Sequence, residues 1–208
     1  MNNSKVVVVD YGMGNIWSVA SALNYLDCEV VISKDPFEIR DANTLVLPGV
    51  GSFRKAMESL RRLRIDEAIT ESVKREKSKI LGICLGMQLL GTKSTEDGET
   101  FGLNIIPTDV DKFTTEEVEG NKIPHIGFDE VLGFKDSKLF SNLPDKSDFY
   151  FVHSYRMLPT IASGYSAFCN YGRDFLAAYE NHNIFATQFH PEKSQTNGLI
   201  LLRNFLAA

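Results

Sequence analysis

The stretch Gly82-Ile83-Cys84-Leu85-Gly86 constrains this chain more than any other. It follows Lys79-Ile80-Leu81 and opens onto Met87-Gln88-Leu89-Leu90. That order reads as strand, sharp turn and helix, with a cysteine at the apex. A nucleophile elbow forces its central residue into a strained turn, and a Cβ on either flank would crowd the strand or the helix. Cys84 gains twice from this position. Its sulfur stands clear of the backbone, and the dipole of the following helix favours thiolate over thiol. Free cysteines are often just small buried hydrophobes. That reading leaves the Gly-x-Cys-x-Gly spacing unexplained.

The pattern around the elbow predicts the sheet on which it stands. Val6–Val9 is a continuous apolar run, as in a parallel strand covered on both faces. Asn15 is placed to N-cap a helix through about Leu26, with Ile16, Val19, Ala20, Leu23 and Leu26 at helical spacing. Strands are expected near Val30–Ile32 and Leu45–Leu47, then one or two charged helices over Phe53–Lys77. This βαβα order predicts an α/β fold with a doubly wound, largely parallel sheet and the elbow at the C-terminal edge of its strands. From about Asn104 short apolar or β-branched runs recur at Ile105, Ile123, Glu130–Leu132, Phe149–Val152, Tyr165–Cys169, Leu176–Tyr179 and Ile184–Gln188. Gly, Pro, Asp and Asn separate them, which predicts added antiparallel strands and hairpins. Asn197–Leu206 reads as a closing helix with Leu199, Leu202, Phe205 and Leu206 inward. The mixed charges of Arg61–Lys79 fit a solvated helical face.

A chain of 208 residues is enough for one domain, residues 1–208, with its own core. A net charge of −5 is wrong for a nucleic-acid binder. Met1-Asn2-Asn3-Ser4-Lys5 leads straight into a strand, so no signal peptide is expected, and no apolar run is long enough to span a bilayer. Cys28, Cys84 and Cys169 give no disulfide framework, and a reducing cytoplasm fits them.

A thiolate nucleophile needs a base. Ile184-Phe185-Ala186-Thr187-Gln188-Phe189 reads as a strand, and His190-Pro191-Glu192 follows directly. Pro191 cannot donate to a ladder and fixes its own φ, so it ends the strand and holds its two neighbours in a rigid turn. A carboxylate beside an imidazole fixes the tautomer and stabilises imidazolium, the orienting role in a triad. Acyl chemistry at Cys84 also needs oxyanion donors. The Leu85 N–H is one candidate. An N–H of Gly49-Val50-Gly51, within the loop Pro48-Gly49-Val50-Gly51-Ser52-Phe53, is the other. The remaining histidines read as structural: His153 in an aromatic strand near the pocket, His125 serving fold or partner surface, His182 in an exposed hairpin turn. No pair has metal-ligand spacing, so no metal is expected. Gly12-Met13-Gly14 lacks the third glycine of a dinucleotide fingerprint, since Trp17 stands there.

With these motifs in hand, the chain resembles the class I (triad) glutamine amidotransferases. More closely it is similar to the glutaminase subunits of imidazole glycerol phosphate synthases. The resemblance is carried by Asp10-Tyr11-Gly12-Met13-Gly14-Asn15, Pro48-Gly49-Val50-Gly51, the elbow through Leu90, Pro124-His125-Ile126-Gly127, Tyr150-Phe151-Val152-His153-Ser154-Tyr155 and Gln188-Phe189-His190-Pro191-Glu192-Lys193-Ser194. It implies that Cys84 attacks the amide of L-glutamine, with His190 and Glu192 completing the triad and Val50, Gly51 and Leu85 forming the oxyanion hole. Gly49, Gln88, Glu96, Ser154 and Tyr155 then fall at the substrate. Asn15, Phe128, Tyr150 and Lys193 face the partner, a (β/α)₈-barrel cyclase subunit in a heterodimer. No cofactor, nucleic acid or membrane is implied.

The chain departs from the family at Gly127-Phe128-Asp129, where Gly-Trp-Asn is usual. That departure keeps a paralogous branch open, whose members feed ammonia to synthases of amidino sugars. A cysteine peptidase of similar fold would also accommodate the elbow, but the Gln88 pattern beside His-Pro-Glu argues against it. A silent binding module would not need an intact Cys84, His190 and Glu192.

Overall fold

The computed structural model of the protein describes residues 5–75, 78–134, 136–159 and 163–208. The first half alternates strand and helix: β1 (Lys5–Val9), α1 (Ile16–Tyr25), β2 (Glu29–Ser33), α2 (Pro36–Asp41), β3 (Thr44–Gly49), α3 (Phe53–Arg62), α4 (Ile65–Val73), β4 (Lys79–Cys84) and α5 (Leu85–Leu89). The second half is strand-rich: β5 (Lys93–Ser94), β6 (Thr100–Phe101), β7 (Val110–Lys112), β8 (His125–Leu132), β9 (Lys146–His153), β10 (Tyr155–Met157), β11 (Tyr165–Tyr171), β12 (Arg173–Asn181) and β13 (Ile184–Thr187). A 3₁₀ turn over Pro191–Lys193 and α6 (Gln195–Ala207) follow.

Among the described residues the main sheet has nine strands in the order β2-β1-β3-β4-β13-β12-β11-β8-β9. The pairs joining β2, β1, β3, β4 and β13 are parallel, and those from β13 to β9 are antiparallel. A second sheet runs β10-β7-β5-β6. The fold is thus α/β, doubly wound, with added antiparallel strands, as the sequence pattern predicts. β1 shows why its valines form an unbroken apolar run. Val6 and Val8 enter one core with α1 and α6, and Val7 and Val9 enter another with α2, α3, α4 and α5. Each such fully buried side chain is worth roughly 1.5–3 kcal/mol.

Several expectations need correction. Asn15 stands at the N-cap of α1, but its side chain caps no backbone N–H; its Oδ1 accepts the Ser18 hydroxyl at 2.8 Å instead. α2 is an extra helix, capped by the Asp35 carboxylate on the Phe37 N–H with Pro36 in its first turn. The charged helical region is two helices, broken at Arg64 with φ 58°. Its expected end at Lys77 lies outside the described residues. Lys79 belongs to β4, not to a helical face, and its ammonium donates to the carbonyls of Leu206 and Ala208. No strand forms at Ile105; the N–H groups of Ile105 and Ile106 both turn back to the Leu90 carbonyl at the end of α5. Ile123 precedes β8, separated from it by the cis bond to Pro124. β13 is parallel to β4, where the sequence pattern predicts an antiparallel addition. α6 begins two residues early and buries Leu201 with Leu202 and Phe205, leaving Leu199 and Leu206 only partly covered.

Candidate active site

The site stands on the ends of two neighbouring parallel strands. β4 ends at Cys84, whose φ of 55° and ψ of −112° place it in the strained turn expected of an elbow. Such a turn needs tight packing beneath it. At Gly86 a Cβ would lie 1.7 Å from the Leu47 carbonyl oxygen, so only glycine lets α5 leave β4 this close to β3. Cys84 is 6% exposed. β13 ends at Thr187, and Gln188-Phe189 carries the chain to His190. The Pro191–Lys193 turn then brings Glu192 back, with Oε1 2.8 Å from His190 Nδ1. Both side chains are buried.

Burial alone would discharge the His190 imidazolium. Contacts with Cys84 and Glu192 outweigh it and raise His190 to about 10. The other ring nitrogen, Nε2, is buried and has no conventional hydrogen-bond partner among the described residues, which leaves it available for a proton exchanged with Cys84. The turn itself is pinned to β9. The His190 N–H donates to the Tyr150 carbonyl at 2.9 Å. The Ser194 hydroxyl donates to the His190 carbonyl at 2.6 Å and accepts the Tyr150 N–H at 3.0 Å.

A cavity of about 560 Å³ opens over Cys84. Its walls include Val50, Gly51, Leu85, Gln88, Glu96, Ser154 and Tyr155, so seven of the expected oxyanion and substrate positions meet there. Gly49 does not line it. It lies behind the wall, where a Cβ would meet the Tyr11 hydroxyl at 2.4 Å and the Gly86 nitrogen at 2.9 Å. The same tyrosine hydroxyl donates to the Pro48 carbonyl, anchoring the start of the glycine loop. Burial, then the nearness of Cys84, pushes the Tyr11 phenol up, so it stays a donor. Gly51 has φ +98°, a left-handed conformation that suits glycine. Glu96 accepts the Phe53 N–H at 2.7 Å, and burial raises its carboxyl. Gln88 donates through Nε2 to the Tyr155 carbonyl at 2.8 Å and to Gln188 Oε1 at 2.9 Å.

Of the expected partner-facing residues, three are joined. The Phe128 and Tyr150 rings meet edge to face at 5.5 Å, and the Lys193 ammonium lies 5.7 Å from the Tyr150 ring centre. Phe128 is 50% exposed. Asn15 sits apart, at the start of α1. Ser52, Lys112, Pro124, Val152 and His153 also line the cavity, unanticipated except for His153. Behind them His153 Nδ1 bonds the Tyr155 carbonyl at 2.9 Å, and its Nε2 meets His125 Nδ1 at 3.2 Å. A carbonyl only accepts, so His153 carries a proton on Nδ1, while His125 faces His153 through Nδ1 and the Asp129 carboxylate through Nε2 at 3.4 Å. Burial lowers both, His125 to about 4 and His153 to about 3. His182 is exposed in the turn between β12 and β13. Among the described residues the three cysteines are free, and no helix is long and apolar enough to cross a membrane.

The family model described as "Glutamine amidotransferase class-I" matches residues 7–208. An "Imidazole glycerol phosphate synthase subunit HisH" of Chlorobaculum tepidum is 46% identical, with 96% of this chain and 98% of that protein covered. The Geobacter sulfurreducens protein of the same name is 43% identical over 97% and 98%. "Subunit HisH 1" of Parasynechococcus marenigrum is 42% identical over 98% of each. Among solved structures, PurLQS from Thermotoga maritima overlays with a TM-score of 0.74 at 17% identity, covering 99% of this chain and 98% of that one. A structure titled as a glutamine amidotransferase gives 0.75 at 17%, covering 97% of each. At those identities the overlays speak for the fold alone.

Proposed function

The chain belongs to the class-I glutamine amidotransferase family, and we propose that it is the glutaminase subunit of an imidazole glycerol phosphate synthase, serving histidine biosynthesis. The pathway rests on whole-length identity to three subunits of that name. The chemistry rests on one observation: a buried cysteine on a strained elbow beside a histidine whose Nδ1 is held by a buried carboxylate.

In this reading glutamine lies in the 560 Å³ cavity with its amide over Cys84. The thiolate attacks the amide carbon, and N–H groups of Leu85 and of the Val50–Gly51 segment hold the oxyanion. Imidazolium His190 protonates the departing ammonia, leaving a glutamyl thioester. His190 then takes a proton from water, the water oxygen displaces the thiolate, and glutamate leaves. Glu192 keeps His190 oriented throughout. Gln88, Glu96, Ser154 and Tyr155 hold the substrate. Gly49 serves from behind, by letting the loop lie against the elbow.

Ammonia released into neutral water is mostly ammonium, which is not nucleophilic, so a sealed transfer to a partner subunit follows from the chemistry. The partner is a (β/α)₈-barrel cyclase, docked where Phe128, Tyr150 and Lys193 cluster, with Asn15 at the margin. It uses the ammonia to make imidazole glycerol phosphate. A single domain of residues 1–208 and a cytoplasmic setting belong to the same proposal.

The test is Cys84→Ala in the assembled synthase. Synthesis from glutamine is expected to vanish, and synthesis from added ammonium salts to persist. Retained glutamine-dependent turnover would falsify the role of Cys84.

A further inference from the structure

Gln188 is fully buried, and neither the triad nor the expected substrate contacts account for it. It stands between β13 and His190, with its backbone N–H on the Ala177 carbonyl. Its side-chain Nε2 donates to Cys84 Sγ at 3.6 Å, within the range for sulfur acceptors. Apart from the His190 ring, no second side-chain donor reaches that sulfur among the described residues. The amide is not free to turn over. Its Oε1 accepts from Gln88 Nε2, and Gln88 Nε2 is itself directed by the Tyr155 carbonyl, which only accepts. Turning Gln188 would set its NH₂ against the Gln88 NH₂. The carbonyl of β10 therefore dictates, through two amides in series, that an N–H points at the nucleophile.

We infer that Gln188 is the hydrogen-bond donor that holds the Cys84 sulfur as thiolate, and that it also aligns Gln88 for substrate. The inference deepens the amidotransferase reading and rests on it. A buried anion gains from each N–H aimed at it, more than a neutral group does. The sulfur is anionic twice per turnover, before it attacks and again when water displaces it from the thioester. A donor fixed beforehand therefore favours both the attacking thiolate and the departing one. Gln88, which lines the cavity, is held by Gln188 through its Nε2.

Two variants separate these duties. Gln188→Glu keeps the acceptor for Gln88 and loses the donor to sulfur. Gln188→Met keeps the shape and loses both. The readout is iodoacetamide alkylation of Cys84 as a function of pH, followed at the Cys84 peptide by mass spectrometry. At a fixed pH on the acid limb, alkylation is expected to slow about tenfold in Gln188→Met, and further in Gln188→Glu, whose carboxylate adds a negative charge beside the sulfur. For glutamine hydrolysis, kcat should fall in both, whereas KM should rise only in Gln188→Met. In the unmutated protein, the Gln188 side-chain amide signal should move with pH through the alkylation midpoint. Variants that melt like the unmutated protein yet keep its midpoint would overturn the inference. So would an amide signal that ignores the titration. Alkylation needs no turnover, so an unmutated protein that stays inert toward glutamine even with its partner and the partner's ligand present would sink the glutaminase reading instead.

Discussion

At the scale of single residues, His190 is governed by what lies on its two sides. Burial favours the neutral ring, and the neighbouring sulfur and the Glu192 carboxylate reverse that preference, raising it to about 10. Replacing Glu192 with Gln keeps an oxygen near Nδ1 but removes the charge. The imidazolium then gives up its proton at lower pH. Activity that needs the imidazolium is present below the folded pKa and lost as pH rises through it, so the alkaline limb of kcat/KM should move to lower pH in Glu192→Gln. The rate at neutral pH should fall by roughly 10²–10⁴, judged from a comparable change in another triad. His190→Ala should remove thioester turnover altogether. A pH–rate profile and single-turnover mass spectrometry check both. An alkaline limb that stays in place would mean Glu192 does not control the ring.

At the scale of elements, β8 and β9 lie in antiparallel register with His125 directly opposite His153. The pair is walled by Phe113, Phe151, Tyr171 and Phe175. Both rings are held neutral by burial, His125 at about 4 and His153 at about 3. In the unfolded chain they take up protons near pH 6.5. Between that value and about 4 the unfolded state binds more protons, so stability falls as pH falls, on the order of 1 kcal/mol per unit for each suppressed proton. Urea unfolding from pH 7 to 4 should show this slope, and His153→Gln should flatten it. These strands also mark how far the sequence can be read. The elbow, the Pro191 turn and the valines of β1 are legible because each is decided by neighbours within a few residues. The direction of β13 is not, because a four-residue apolar strand fits a parallel or an antiparallel neighbour equally well. The register of Thr187 with Ile83 is settled only in the assembled sheet. Gln188 is visible within the motif around His190. Its contact with Cys84, 104 positions away, is not. The loop at Ile105 reads as a strand because its side chains are apolar, while its N–H groups close on α5 instead.

At the scale of the whole molecule, the glycine loop joins the cavity at Val50 and Gly51, and the proposed docking patch of Phe128, Tyr150 and Lys193 joins the His190 turn through β9. Tyr150 is the shared member. Its ring meets Phe128 and Lys193, and its carbonyl takes the His190 N–H. In the proposed complex, a partner seated on that patch touches the strand that holds His190. The Pro48 carbonyl is pinned by Tyr11, whereas the glycines that follow permit more than one peptide orientation. The isolated chain is therefore expected to be a poor glutaminase, activated when the partner binds its own ligand. A hundredfold activation needs only about 2.7 kcal/mol. Glutamate release measured for the chain alone, with partner, and with partner plus its ligand decides this, and equal rates in all three would sink it. The strand order has a further consequence for the newborn protein on the ribosome. On the proposed roles, the nucleophile arrives with β4, but its base waits for β13 and the turn that follows. Until β13 has slotted between β4 and β12 and carried His190 into place, the proposed nucleophile has no proton partner. On those roles an unfinished chain carries a thiol without a working hydrolase, and glutamine consumption waits until the sheet that shelters the thiol is complete.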